Sequence, residues 1–352
     1  MRFPGWSRAA LEVDDPSDPS GKKTVQAIEP LIISASRSTD IPAFYGEWFI
    51  RRLAAGYAVW RSPFGGRPVY ISFAKARVFA FWSKNPAPFL GHLDTLEKRG
   101  FGSFFLITLN DYGNEGLEPG VPPLEDRIDT FIRLSRRIGA GRVIWRYDPL
   151  LLSPEITVDD LLNRIGRIGD RISPYTRRLV FSFIDIARYA KVRRNLSAAG
   201  YEGVREFSDR EAEDFSRGLA GLNERWNLTL SACGERRDLT RFGIAPGRCI
   251  GYDLLREEFP SDPILREFLH LPQQELPGDG PGGPYGNPVK YFKDPGQRST
   301  CGCVISKDIG QYSTCPHGCV YCYANSSVAA AKRNYARYLR EAQRGMFHET
   351  IA

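Results

Sequence analysis

From Leu31 onward the chain repeats one rhythm, and that rhythm limits the fold more than any other feature. A short apolar run ends in polar residues, and an amphipathic helical pattern follows. The runs lie at residues 31–35, 78–82, 104–109, 143–147, 179–184 and 228–232, with a shorter one at 249–252. Strand then helix, repeated, calls for a parallel sheet with helices packed on it. Seven candidate strands predict an α/β fold, a TIM-like (β/α) barrel, complete or partial, over residues 27–271. No eighth strand stands out, because Val304-Ile305 is too short to assign.

The helical patterns carry start and stop signals. Pro42 opens one whose apolar side includes Phe44 and Trp48, and Gly56 ends it. Ser208-x-x-Glu211 is a capping box ahead of Phe215, Leu219, Leu222 and Trp226, which read as core. Residues 57–61 and 69–73 read as a hairpin around Gly65-Gly66. Residues 1–26 are polar and turn-forming, which predicts a flexible N-terminal arm. Residues 272–300, dense in Gly and Pro, predict a linker. Residues 301–352 then form a cysteine segment and a basic helix packed on the barrel.

Five of the seven cysteines fall in that last segment: Cys301, Cys303, Cys315, Cys319 and Cys322. Cysteines bunched at one end of a long chain fit metal binding better than disulfides. Cys315-x3-Cys319-x2-Cys322 places three thiolates to hold one face of an iron–sulfur cube, whereas tetrahedral zinc wants a fourth ligand. Zinc stays open as an alternative, drawn from Cys303, Cys315, His317, Cys319 and Cys322. Cys233, Cys249, Cys301 and Cys303 are enough for a second, fully protein-ligated cluster or a zinc. The plainer reading of that second set is buried thiols and spare ligands.

The motif Cys315-x3-Cys319-x-Tyr321-Cys322 resembles the cluster motif of the radical S-adenosylmethionine superfamily. His317-Gly-Cys319-Val-Tyr321-Cys322-Tyr323-Ala is similar to the spelling in its spore-photoproduct-lyase-like members. Three further stretches resemble the domain of unknown function 1848 family, which has no assigned substrate. They are Ser34-Ala-Ser-Arg37-Ser-Thr39-Asp40-Ile-Pro42, Phe81-Trp82-Ser83-Lys84-Asn85-Pro86 and Asp308-Ile-Gly-Gln-Tyr312. The resemblance implies a 4Fe–4S cluster on Cys315, Cys319 and Cys322, with S-adenosylmethionine on the open iron. It implies a 5′-deoxyadenosyl radical acting on an unknown substrate, Tyr321 beside the adenine, and a flavodoxin- or ferredoxin-like electron donor. In that superfamily the motif follows the first barrel strand. Here it follows nearly all the others, so the chain reads as permuted.

Working residues of such barrels gather at the C-terminal ends of strands. Those ends carry Arg37 and Asp40, Lys84, and Arg146. Arg37, Lys84 and Arg146 would point three cations at one mouth, suited to a carboxylate or phosphate. Arg37 and Asp40 are the candidates for the carboxylate and amine of S-adenosylmethionine. Each of these residues alone has a plainer role in capping or turn formation.

A net charge of +7 permits an anionic partner, and with the lyase-like spelling it tilts the substrate toward nucleic acid or a nucleotide. Four histidines, none paired at ligand spacing, argue against a barrel metallohydrolase. The longest apolar run, 101–109, is far short of the roughly 20 residues of a membrane helix, so the cytoplasm is the expected compartment and no membrane partner is expected. Two other classes stay open. One is a zinc- or cluster-stabilised module that binds nucleic acid through Arg333, Arg337 and Arg340 without radical chemistry. The other is a barrel enzyme whose cysteines only brace the fold.

Overall fold

A computed structural model describes residues 6–15, 20–63, 65–270, 293–294 and 296–351. In chain order its strands are β1 (Trp6–Asp14), β2 (Lys22–Pro30), β3 (Ile32–Ala35), β4 (Tyr57–Trp60), β5 (Val69–Ser72) and β6 (Val78–Ser83). There follow β7 (Gly102–Thr108), β8 (Val143–Leu150), β9 (Arg178–Phe183), β10 (Thr229–Ala232), β11 (Ile244–Pro246) and β12 (Lys307–Asp308). Eight of them make one sheet in the order β11-β10-β9-β8-β7-β6-β3-β12, and every pairing in it is parallel. The last strand in the chain therefore lies beside the first of the series. Among the described residues, β11 and β12 do not pair with each other.

Strands β3 and β6–β9 are largely buried on both faces, as parallel strands usually are. Side chains alternate between two cores because the strand period is two. Phe79, Phe81, Phe105, Ile107, Trp145 and Phe181 pack to one side. There they meet the apolar stripes of helices Gly46–Ala55, Leu124–Ile138, Val158–Ile172 and Asp209–Asn223. Val78, Ala80, Phe104, Leu106, Ile144 and Val180 pack to the other side, under residues 249–269 and 301–305. The segments flanking the unpaired edge thus close the second core. Val304 N–H donates to the Ile250 carbonyl at 2.9 Å between them.

The expected flexible arm is instead an antiparallel hairpin of β1 on β2. It belongs to a second sheet, ordered β1-β2-β5-β4, which also contains the hairpin predicted at β4 and β5. The polar strands β1 and β2 show little apolar periodicity, and the turn-rich stretch between them dominates the composition. The strand expected at 249–252 is displaced to β11, since Pro246 and Gly247 end the pairing and helix Tyr252–Glu258 begins at once. The eighth strand is β12, two residues long and polar, just beyond the Val304-Ile305 stretch considered for it. The expected linker lies mostly outside the described residues. No helix among those described is long and apolar enough to cross a membrane.

Candidate metal and cofactor site

The cysteine loop is tied to the sheet before its first motif cysteine. Asp308, ending β12, accepts Ser34 Oγ at 2.6 Å, Arg37 N–H at 2.7 Å and Gly310 N–H at 2.8 Å. The Thr314 carbonyl accepts Tyr45 Oη–H at 2.6 Å. Tyr45 interrupts the helix predicted after Pro42, splitting it into Ile41–Phe44 and Gly46–Ala55.

His317 fixes the middle of the loop. Its Nε2 lies 2.8 Å from Asp40 Oδ2 and its Nδ1 lies 3.0 Å from the Gly120 carbonyl. Both ring nitrogens are engaged, so neither remains for the zinc considered from the sequence. Asp40 also accepts Ala43 N–H at 3.0 Å, Ser83 Oγ at 2.8 Å and Lys84 N–H at 2.7 Å. These contacts fill the roughly four acceptor positions of a carboxylate, leaving none for the amine expected of Asp40. Gly120 N–H donates back to the His317 carbonyl at 2.8 Å. A Cβ at Gly120 would stand 2.5 Å from that oxygen, so only glycine permits the approach.

Tyr321 reaches a buried polar knot at the ends of β6 and β7. Its hydroxyl donates to Glu118 and receives Lys84 Nζ at 3.2 Å and Asn110 Nδ2 at 3.1 Å. Lys84 Nζ donates to Glu118 at 2.7 Å, and Asn110 Nδ2 does so at 3.0 Å. Burial alone would raise the Glu118 carboxyl. The charges of Lys84 and Arg127 outweigh it and hold the carboxyl below its ordinary range. Burial works against the Lys84 ammonium, but Glu118 and then Cys319 raise it.

Cys315, Cys319 and Cys322 are half-buried and free of disulfides. Burial pushes all three thiols up, Cys315 to about 12. Each lies within the electrostatic reach of another of the three. Their backbone is held by Cys322 N–H on the Cys319 carbonyl, Val320 N–H on Leu117 and Asn325 Nδ2 on the Cys315 carbonyl. Among the described residues, no three His, Cys, Asp or Glu side chains already form a set that could hold a metal ion. In chemistry the donors suit a thiophilic cluster: three unbridged thiols on one loop, with the Lys84 cation near Cys319.

The remaining cysteines gather on the second core. Cys233 and Cys249 sulfurs are 3.6 Å apart, and the Cys303 thiol meets those of Cys249 and Cys301. The three cations expected at one mouth divide between the two thiol groups. Lys84 serves the Cys319 side, while Arg37 faces Cys303 and Arg146 faces Cys249 and Cys233. Arg37 also lies 3.5 Å from Asp294 and donates to Ser306 at 3.0 Å, and Arg146 pairs with Asp148 at 2.5 Å. Tyr323 Oη–H on the Arg37 carbonyl, at 2.8 Å, joins the two regions. A cleft of about 440 Å³ opens beside Arg37, lined in part by Trp60, Lys307, Asp308 and Tyr312.

A family model described as Domain of unknown function (DUF1848) matches residues 32–324. The chain belongs to this family. The match begins at β3 and ends in the cysteine loop, so it takes in the parallel sheet and all seven cysteines. The hairpin β1–β2 and the basic helix Val328–Gln343 lie outside it. No curated protein and no solved structure matches the chain. Sequence reading named Asn110 at the exit of the third strand but passed over Glu118, which lies in the long Gly/Pro-rich loop 110–123.

Proposed function

We propose that this chain is an iron–sulfur enzyme of the radical S-adenosylmethionine kind, working at the mouth of a (β/α) barrel. Cys315, Cys319 and Cys322 would hold the cluster. One observation carries the reading: the cysteine loop lies against residues that follow β3, β6 and β7, the end where parallel sheets do their chemistry. When bound, such a cluster supplies the electron that cleaves S-adenosylmethionine to a 5′-deoxyadenosyl radical.

The chain's own residues hold and shield that centre. Asp40 and Gly120 fix His317, and with it the turn between Cys315 and Cys319. Lys84 Nζ, locked between Glu118 and Tyr321, offsets the charge of deprotonated thiols. Tyr321 is buried beside the loop, and the resemblance assigns it to the adenine. The cleft beside Arg37 is the entry for a nucleotide-like substrate, since aromatic walls and cations suit a base and a phosphate. The basic helix lies outside the family match whereas all seven cysteines lie inside it, which favours this reading over a nucleic-acid module.

The test is anaerobic. The protein is reconstituted with iron and sulfide and reduced, and its electron paramagnetic resonance spectrum is recorded with and without S-adenosylmethionine. A reduced-cluster signal that shifts on adding the cofactor, and is lost in Cys319→Ser, is the expected result. A cluster whose spectrum ignores the cofactor would overturn the proposal.

A further inference from the structure

The second thiol group is spread over three parts of the chain that topology alone brings together. Cys233 follows β10, Cys249 follows β11, and Cys301 and Cys303 precede β12. Among the described residues, β11 and β12 are the sheet edges that no strand pairing joins. The site is built closely. Gly247 N–H donates to the Ala232 carbonyl at 2.7 Å, and a Cβ at Gly247 would meet Cys233 Cα at the same 2.7 Å. That glycine lets the Cys249 turn rest on the Cys233 backbone. Ile250 N–H points at Cys303 Sγ at 3.5 Å, a donor aimed at sulfur. Cys249, Cys301 and Cys303 are buried. Among the described residues, the buried Arg146 Nε has no hydrogen-bond partner.

We propose that Cys233, Cys249, Cys301 and Cys303 bind one tetrahedral thiophilic cation of the zinc class, which joins the open edges of the eight-stranded sheet. Sulfur spacing decides between one ion and a cube. Four sulfurs at about 2.3 Å from a single zinc stand about 3.8 Å from one another. A 4Fe–4S cube spreads its cysteine sulfurs much farther apart. The 3.6 Å between Cys233 and Cys249 fits the single ion. The four thiols now form a chain of contacts, Cys233 to Cys249 to Cys303 to Cys301, rather than a closed set. Closing it asks the terminal thiols to turn toward each other. A zinc with four thiolates carries two net negative charges, and the Arg37 and Arg146 cations, each paired with one carboxylate, lie within electrostatic reach and offset part of that charge. The carboxylates of Asp294 and Asp148, on those same arginines, fix their direction.

This site is independent of the proposed cluster, and its test is built to stay so. The full-length triple variant C315S/C319S/C322S is purified, stripped with chelator and titrated with cobalt(II). Expected is about one equivalent per chain with tetrathiolate charge-transfer and d–d absorption, displaced by zinc. X-ray absorption of the zinc form should give about four sulfurs at about 2.3 Å. Adding C249S and C303S to the triple variant should abolish the tetrathiolate signal. Should those changes unfold the chain, stripping the triple variant alone still tests the site: thermal midpoint should fall without metal and recover on adding zinc. No cobalt binding by the folded triple variant, or binding with nitrogen and oxygen ligands, would overturn the proposal.

Discussion

Glu118 shows how much one side chain holds at this site. It is 4 % exposed and is the only acceptor shared by Lys84, Asn110 and Tyr321 among the described residues, with Arg127 at 3.9 Å. Glu118→Gln keeps the shape but leaves Lys84 and Arg127 buried without their counter-charge. Removing one partner of a buried pair costs about 3–5 kcal/mol, to be read from the denaturant midpoint. The sign of the pH effect follows from the lowered carboxyl. Its contribution is present above the ordinary value of 4.5 and is lost as pH falls through the lower folded value. Stability of the native protein should therefore drop below about pH 4.5, and more shallowly in Glu118→Gln. Equal acid slopes would remove Glu118 from that role. Cys315, Cys319 and Cys322 were legible because their spacing is local. Glu118 was not, because its partners lie 34 residues before it and 203 after it, at Lys84 and Tyr321.

At the scale of elements, legibility followed apolar content. Helix Asp209–Asn223 carries the capping box read from its sequence: Ser208 Oγ accepts Glu211 N–H at 3.3 Å, and Glu211 accepts Ser208 N–H at 3.0 Å. Ser208→Ala should cost about 1 kcal/mol in thermal or denaturant unfolding. Hydrogen bonds from Arg205 and then Ser208 hold the Glu211 carboxyl down to about 2, from an ordinary 4.5. That support persists above pH 4.5 and is lost as pH falls through about 2, so Ser208→Ala should differ most from the native protein at neutral pH. A gap that widens on acidification would mean another cause. The strands that hid were β1, β2 and β12. In β12 the two residues are Lys307 and Asp308, and the pairing with β3 rests on backbone, so no apolar run marks it.

Over the whole molecule, the order of strands was readable and the closure was not. Strand–helix alternation fixes a parallel sheet, yet which distant segments meet at its edges depends on contacts hundreds of residues apart. Cys249 and Cys303 belong to no common motif, and only the fold brings them together. The C-terminal tail is a similar long-range tie, and it bears on the candidate site. Val59 N–H donates to the Glu349 carbonyl at 2.9 Å, Trp48 Nε1–H to the His348 carbonyl at 2.9 Å, and Tyr57 Oη–H to Glu349 at 2.6 Å. Just before the tail, helix Val328–Gln343 packs Tyr335 and Tyr338 on Tyr45, whose hydroxyl holds Thr314 next to Cys315. Removing residues 346–352 strips three donors of their acceptors and takes the buried Ile351 out of the core. Each buried donor left unmatched costs about 1–3 kcal/mol, a large share of a domain's roughly 5–15 kcal/mol. The truncated chain should therefore melt at lower temperature. The same tie runs from tail to helix to Tyr45 to the cysteine loop, so the metal-free truncated chain should also react faster with a thiol reagent at Cys315 below its melting transition. Peptide mapping of the alkylated chain reads that directly: faster labelling of Cys315 with Cys249 still protected places the effect in the loop, whereas equal labelling of both would make it global unfolding.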